Sequence, residues 1–283
     1  MNSRDVARLG GLLDRLVEQY GGLGHIDSDP LSRVLPFEGA RDREIVGFLA
    51  AVLSFGNVKA ILSGIDAALK PLGDTPAEQL LAWEPVEARA AARGFRYRWI
   101  HEEDLGGLYV ALGCALRAHG GLEPVFASGM EPGASSVQGG ASALTHRLRE
   151  WLPEDLRARR GARFLLADPD GAGASKRLHM FLRWMVRAEE PDLGLWSAAT
   201  PAQLLMPMDT HVARIARYIG LTDRDKADRR AALEVTESLR RVNPSDPTRY
   251  DFAIARLGIL GHCPHRRDPV RCAPCDLVSV CTL

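Results

Sequence analysis

Four of the five cysteines fall in the last 21 residues, spaced Cys263-x8-Cys272-x2-Cys275-x5-Cys281, while Cys114 stands alone earlier. A disulfide framework spreads cysteines through a small secreted fold, whereas thiols grouped at one end of a 283-residue chain suit a metal. Four thiolates at short spacing surround one tetrahedral Zn²⁺ or bind a [4Fe–4S] cube. Four unliganded structural cysteines are the plain alternative. His262 and His265 flank the first cysteine and read as loop residues, because four cysteines already complete a ligand set. The first loop, PHRRDPVR, carries Arg266, Arg267 and Arg271 against only Asp268. Such a basic loop grips phosphates when held rigid, or is simply solvated.

A second group is a lysine and an aspartate, each at the head of a helical pattern. Asp168 to Arg187 reads DPDGAGASKRLHMFLRWMVR, with Gly171, Gly173 and Ser175 ahead of Lys176, Arg177, Arg183 and Arg187 and no acid after Asp170. Free backbone N–H groups at a helix start suit a phosphate oxygen, although glycine-rich turns also precede helices for steric reasons. Asp209 stands in PMDTHV before a helix expected from Thr210 to Ile219. Aspartate there is an N-cap, a carboxylate for chemistry, or both. Lys176 is likewise a solvated first-turn lysine or a nucleophile, and His211 reads as a hydrogen-bonded structural histidine.

The motifs resemble those of the helix-hairpin-helix DNA glycosylase superfamily. The run MDTHVARIAR is similar to its VDTHV-x-R segment, Ser175-Lys176 to its lyase lysine position, and the cysteine tail to that of endonuclease III-type members. The resemblance covers Arg41 to the C-terminus. Three features depart from the endonuclease III pattern. The first cysteine gap is eight rather than six, and GAGASK replaces Gly-x-Gly-x-Lys. The Lys176 to Asp209 separation is 209 − 176 = 33, similar to the archaeal 8-oxoguanine glycosylases. A bacterial branch of unknown function is also similar. The resemblance implies a [4Fe–4S] cluster on Cys263, Cys272, Cys275 and Cys281, with Zn²⁺ as the alternative. It further implies catalysis by Lys176 and Asp209, and DNA contacts from Gly171, Gly173, Ser175, Arg177, Arg266, Arg267 and Arg271. Asn57, after Ser54-Phe55-Gly56, stands where members fill the gap left by a flipped base.

That chemistry has physical sense. Removing a damaged base requires attack at the sugar C1′ while positive charge develops on the ring. A lysine attacks only as the neutral amine, which desolvation or a neighbouring cation such as Arg177 favours. An opposing carboxylate supports the cationic ring and assists proton transfer. The base must first leave the duplex stack. The expected function is a bifunctional glycosylase and abasic-site lyase, with 8-oxoguanine the leading substrate. Its rivals are a non-catalytic DNA-binding module and a metal-stabilised helical protein without nucleic acid.

Helical periodicity dominates the elements that must position these groups. Helices are expected at 41–55, 58–73, 76–83, 86–93, 105–119, 143–151, 175–187, 210–219, 229–242 and 246–257, with almost no sheet. The expected fold is all-α and two-lobed, with residues 1–262 glycosylase-like and 263–283 a cluster loop. The low-complexity stretch 128–142 reads as a flexible surface loop between lobes. Phe95-Arg96-Tyr97-Arg98-Trp99 interleaves aromatic and basic residues; it reads as a helix-packing segment, or as a stacking surface for bases. Trp184 and Trp196 read as core.

Composition limits the partners. Lys plus Arg and Asp plus Glu each number 36, so no general attraction to polyanions exists and any DNA contact must be local. The basic residues from Lys176 to Arg187 and from Arg266 to Arg271 are therefore expected to share one face. The N-terminus lacks a signal-peptide core, and the longest apolar run, near 45–55, is too short to span a bilayer. A monomeric, cytoplasmic, nucleoid-associated protein acting on damaged duplex DNA, with no membrane partner, is the expectation.

Overall fold

The computed structural model describes residues 3–283. In chain order the helices are α1 (Ser3–Tyr20), α2 (Ala40–Val52), α3 (Val58–Leu69), α4 (Pro76–Ala82) and α5 (Pro85–Ala91). Then follow α6 (Glu102–His119), α7 (Glu123–Ala127), α8 (Gln138–Glu150), α9 (Glu154–Arg157) and α10 (Arg160–Leu165). The last are α11 (Lys176–Val186), α12 (Thr210–Tyr218), α13 (Arg229–Val242), α14 (Asp251–Ile259) and α15 (Pro269–Cys272). A two-stranded antiparallel sheet, β1 (Arg96–Tyr97) and β2 (Ile100–His101), is the one sheet among the described residues. The fold is all-α, as the periodicity predicts. No described helix is long and apolar enough to cross a membrane.

The chain divides into two compact units. The first runs to His25 and resumes at Gly171–Leu193 and Thr200–Leu283, so it holds α1, α11 to α15 and the cysteine tail. Its core follows from helical spacing. Leu9, Leu12, Leu13, Leu16 and Tyr20 recur at three- and four-residue intervals on α1 and are buried. Val212, Ile215, Ala216 and Ile219 do the same on and just beyond α12. Fully burying one such Leu or Ile contributes about 1.5–3 kcal/mol, so these stripes hold the helices that carry the site.

The second unit comprises Ile26–Asp170 and Gly194–Ala199. Glu44, buried on α2, ties it together by accepting from Leu122 N (2.8 Å), Glu123 N (3.1 Å) and Trp196 Nε1 (2.7 Å). Trp196 therefore belongs to a core, as expected, and Trp184 is likewise fully buried in the first unit.

Two expectations are corrected here. The stretch 128–142 is not a loop throughout, because α8 already begins at Gln138. It is held by packing: a Cβ on Gly129 would meet Gly139 O at 2.3 Å, and one on Gly140 would meet Phe126 at 2.5 Å. Phe95–Trp99 is not a helix-packing segment. Tyr97 pairs with Ile100 and Arg96 with His101, which leaves Arg98 and Trp99 as a two-residue turn.

Candidate functional site

Lys176 is the first residue of α11 and is half-buried. Ser175 before it adopts a left-handed conformation, φ 44°, uncommon without glycine. Gly173 is bridged to Asp228, and Arg229 N donates to Ala172 O at 3.1 Å, which fixes the approach to the helix. A Cβ on Gly173 would meet nothing within 4 Å, so the backbone there is open on that side. Asp209 is the N-cap of α12, and its Oδ1 accepts from Val212 N at 2.7 Å. Capping thus occupies one carboxylate oxygen, as the spacing predicts.

A third residue joins them. Asp251 heads α14, is 5% exposed and is ion-paired to Arg183. Burial pushes its carboxyl up to about 6; Arg183 works against this, Asp209 adds to it, and Lys176 opposes it. Asp251 therefore lies within electrostatic reach of both Lys176 and Asp209, and the three stand at the N-terminal ends of three helices of one unit. Its sequence signal is faint: it is the only acid in the otherwise apolar-rich run from Tyr250 to Leu260.

Arg177, beside Lys176, is half-buried, and burial pulls its guanidinium down to about 10, so it remains cationic at neutral pH. The basic face expected along α11 does not form. Arg183 and Arg187 are 3% and 4% exposed. Asp192 lies 3.0 Å from Arg183 and also pairs with Arg187, and Asp246 lies 2.7 Å from Arg187. The acids that pair with them follow in sequence, beyond the acid-free window. His211 is also corrected: its buried Nδ1 has no hydrogen-bond partner among the described residues. Asn57 is exposed and caps α3, accepting from Ala60 N at 2.9 Å.

His179, one turn into α11, is buried. Burial, and then the charge of Arg229, pull its imidazole down to about 4. Asp251 and His179 have opposite pH consequences. Folded Asp251 keeps its proton up to about pH 6, whereas a free aspartate, of value 3.8, loses it earlier. Its contribution to stability is thus present at low pH and lost as pH rises through 6. Folded His179 stays neutral down to about pH 4 against 6.5 when free, so its contribution is lost as pH falls through 4. The two trends oppose one another between pH 4 and 6. In Asp251→Asn the opposing Asp251 contribution is gone, so the urea midpoint should fall more steeply from pH 6.5 to 4 than it does in wild type. A variant profile no steeper than wild type contradicts this assignment.

The cysteine tail is brought together as the spacing predicts. Cys263, Cys272, Cys275 and Cys281 are all partly buried and line one cavity. Burial raises the Cys263 thiol, Arg214 counters it, and the other three cysteines raise it again. Cys275 is raised by burial and then by Cys281 and Cys272, against a lowering hydrogen bond from Leu277 N. As a donor set, four thiolates lining one cavity would repel one another, and a cationic metal centre would relieve that repulsion. Neither nearby histidine is needed. His262 Nδ1 lies 2.7 Å from Tyr20 Oη, and His265 Nε2 lies 2.6 Å from Arg214. The tail is anchored to its own unit by Arg15–Asp276 (2.9 Å), Arg214 to Cys263 O (3.0 Å), Thr282 N to Tyr218 O (2.8 Å) and buried Leu277. Arg266 and Arg267 are exposed between Cys263 and α15, and Arg271 is exposed on α15 itself. Arg267 also donates to Leu283 O (3.3 Å), which draws the loop toward the C-terminus.

Fold and site together define a helical protein with a Lys–Asp–Asp group at helix N-termini and a four-cysteine tail. The chain belongs to the family described as "Protein of unknown function (DUF2400)", whose model matches residues 29–260. The match includes Lys176, Asp209 and Asp251 and stops before Cys263. No curated protein matches the chain. Among solved structures, the 8-oxoguanine glycosylase/lyase of Methanocaldococcus jannaschii, in complex with 15mer DNA containing 8-oxoguanine, is similar over 88% of this chain and 96% of that one. The identity is 15% and the TM-score 0.42.

Proposed function

We propose that this protein is a DNA-repair glycosylase and abasic-site lyase acting on an oxidised base, with 8-oxoguanine the leading substrate. The observation that carries the reading is the electrostatic grouping of Lys176 and Asp209 around Asp251. Neutral Lys176 Nζ attacks C1′; the glycosidic bond breaks, its electrons leave with the base, and the base takes up a proton. Ring opening gives a Schiff base, which acidifies C2′; loss of that proton expels the 3′ phosphate. Asp209 supports the positive charge at C1′ with the oxygen that capping does not use. The substrate class follows from the sequence resemblance, including the separation of Lys176 and Asp209.

Cys263, Cys272, Cys275 and Cys281 would hold a [4Fe–4S] cluster, with Zn²⁺ as the alternative; the group supplies cross-links that fix the basic loop of Arg266, Arg267 and Arg271. Purified protein is expected to be brown and to contain iron. Cys275→Ala should lose the metal, lower the thermal midpoint and weaken duplex binding. A colourless protein with one zinc per chain would select the alternative, and a metal-free wild type would reject the site.

A duplex carrying an abasic site, incubated with the protein and borohydride, tests the chemistry. A covalent adduct, together with base release from an 8-oxoguanine duplex, is the expected result. A gel shift without either would leave a DNA-binding module, and the enzyme reading would fall.

A further inference from the structure

The second unit holds a feature that the lyase chemistry does not use. Phe55, Trp99 and Phe164 form one aromatic cluster. Ring centroids are 4.9 Å apart for Phe55–Trp99, 4.7 Å for Phe55–Phe164 and 5.1 Å for Trp99–Phe164. Each of the three is only partly buried. Two exposed arginines lie against it: Arg98 sits 5.2 Å from the Trp99 ring and 5.9 Å from that of Phe55, and Arg160 sits 5.8 Å from Trp99. Neighbouring Arg159 is ion-paired with Asp104 and Glu103. Among the described residues, Arg98 and Arg160 have no carboxylate within ion-pair distance.

The turn that presents this cluster is built against local preference. Arg98 and Trp99 are the two central residues of a tight hairpin, and Arg98 has φ 55°. Glycine or asparagine occupies that conformation at lower cost, and such backbone strain gathers at ligand contacts. Gly56, at φ 116°, gives Arg98 its space, because a Cβ there would meet the Arg98 guanidinium at 2.7 Å. Trp99 Nε1 is buried without a hydrogen-bond partner among the described residues, which adds to the cost of holding this turn. Ring faces next to arginines without acidic partners match a strand of flat bases and phosphates, since every base has a π-face.

We propose that the Arg98–Trp99 turn, with Phe55, Phe164 and Arg160, is a docking surface for an unpaired nucleotide of a nucleic-acid strand. The rings stack on the base, and Arg98 and Arg160 take the adjoining phosphates. This shares with the lyase reading only the class of partner and does not depend on Lys176.

The test uses the full-length protein and three fluorescein-labelled 15-residue probes: a thymidine single strand, the same backbone without bases, and a blunt duplex. Wild type is expected to bind the thymidine strand at least fivefold more tightly than the base-free strand, with affinity falling as salt rises. Arg98→Gly should weaken thymidine-strand binding at least fivefold while its melting temperature stays level or rises, because glycine relieves the turn. Arg160→Ala should weaken it in the same direction. Wild-type-like affinity in Arg98→Gly, a lowered melting temperature in that variant, or equal binding of base-free and thymidine strands would each overturn the proposal. At saturating protein, Arg98→Gly should retain whatever borohydride-trapped adduct wild type forms with an abasic duplex. Failure of the lyase reading, by contrast, is loss of the wild-type adduct with strand binding intact.

Discussion

Lys176→Ala is expected to abolish the borohydride-trapped adduct completely while leaving duplex binding within a fewfold of wild type. The expectation rests on place as well as residue type. Lys176 is the first residue of α11, half-buried, and within electrostatic reach of Asp251 together with Asp209. An ordinary surface lysine can be truncated without cost, and one first-turn lysine among many phosphate contacts would cost only part of the affinity. A covalent nucleophile has no substitute, so its removal ends the reaction. Asp209→Asn separates the two roles of the aspartate. Asparagine caps a helix about as well as aspartate, so α12 should remain intact. It carries no negative charge, so base excision should fall by about 10²–10⁴-fold, the range for a positioned acid–base group. Single-turnover excision and circular dichroism on the same samples decide the matter. An adduct in Lys176→Ala, or full activity in Asp209→Asn, would move the chemistry elsewhere.

Arg183→Ala is the second large effect, and it acts on stability. The Arg183 guanidinium is 3% exposed, pairs with Asp251 and lies 3.0 Å from Asp192, which also pairs with Arg187. Removing it leaves two buried carboxylates short of a counter-charge. Breaking such a buried pair from one side costs about 3–5 kcal/mol, against a total stability of about 5–15 kcal/mol for a folded domain. Arg183→Lys should recover only part of this, because a point charge does not bridge two carboxylates as the planar fork does. Urea titration at pH 7 reads the result as a lower midpoint at unchanged slope. A loss below 1 kcal/mol in Arg183→Ala would show that the network is not integral to the fold. Since Asp251 links this network to Lys176 and Asp209, the same substitution should also disturb the site.

These two predictions show where reading along the chain is strong and where it stops. The helices from residue 41 onward were legible because apolar residues recur at helical spacing, as at Val212, Ile215 and Ile219. Asp209 as an N-cap was legible because capping is local, reaching only to Val212 N. Arg183 and Arg187 misled for the opposite reason. Within their own segment no acid follows Asp170, yet their partners Asp192, Asp246 and Asp251 lie outside that window. The turn at Arg98 escaped notice because its residues are not those that turn preferences favour, and a strained turn departs from its statistics.

By itself, then, the sequence determined the helical class, the grouping of four cysteines and the helix-start positions of Lys176 and Asp209. Each of these is a local matter of period, spacing or residue type. Only the tertiary structure decided that the four cysteines line one cavity and that Asp251 falls within reach of Lys176 and Asp209. It also decided that Arg183 and Arg187 are consumed inside the core while Arg98 and Arg160 stay exposed over aromatic rings. Those outcomes depend on which distant helices pack together, and charge pairing across such packing leaves no mark within a short window of sequence.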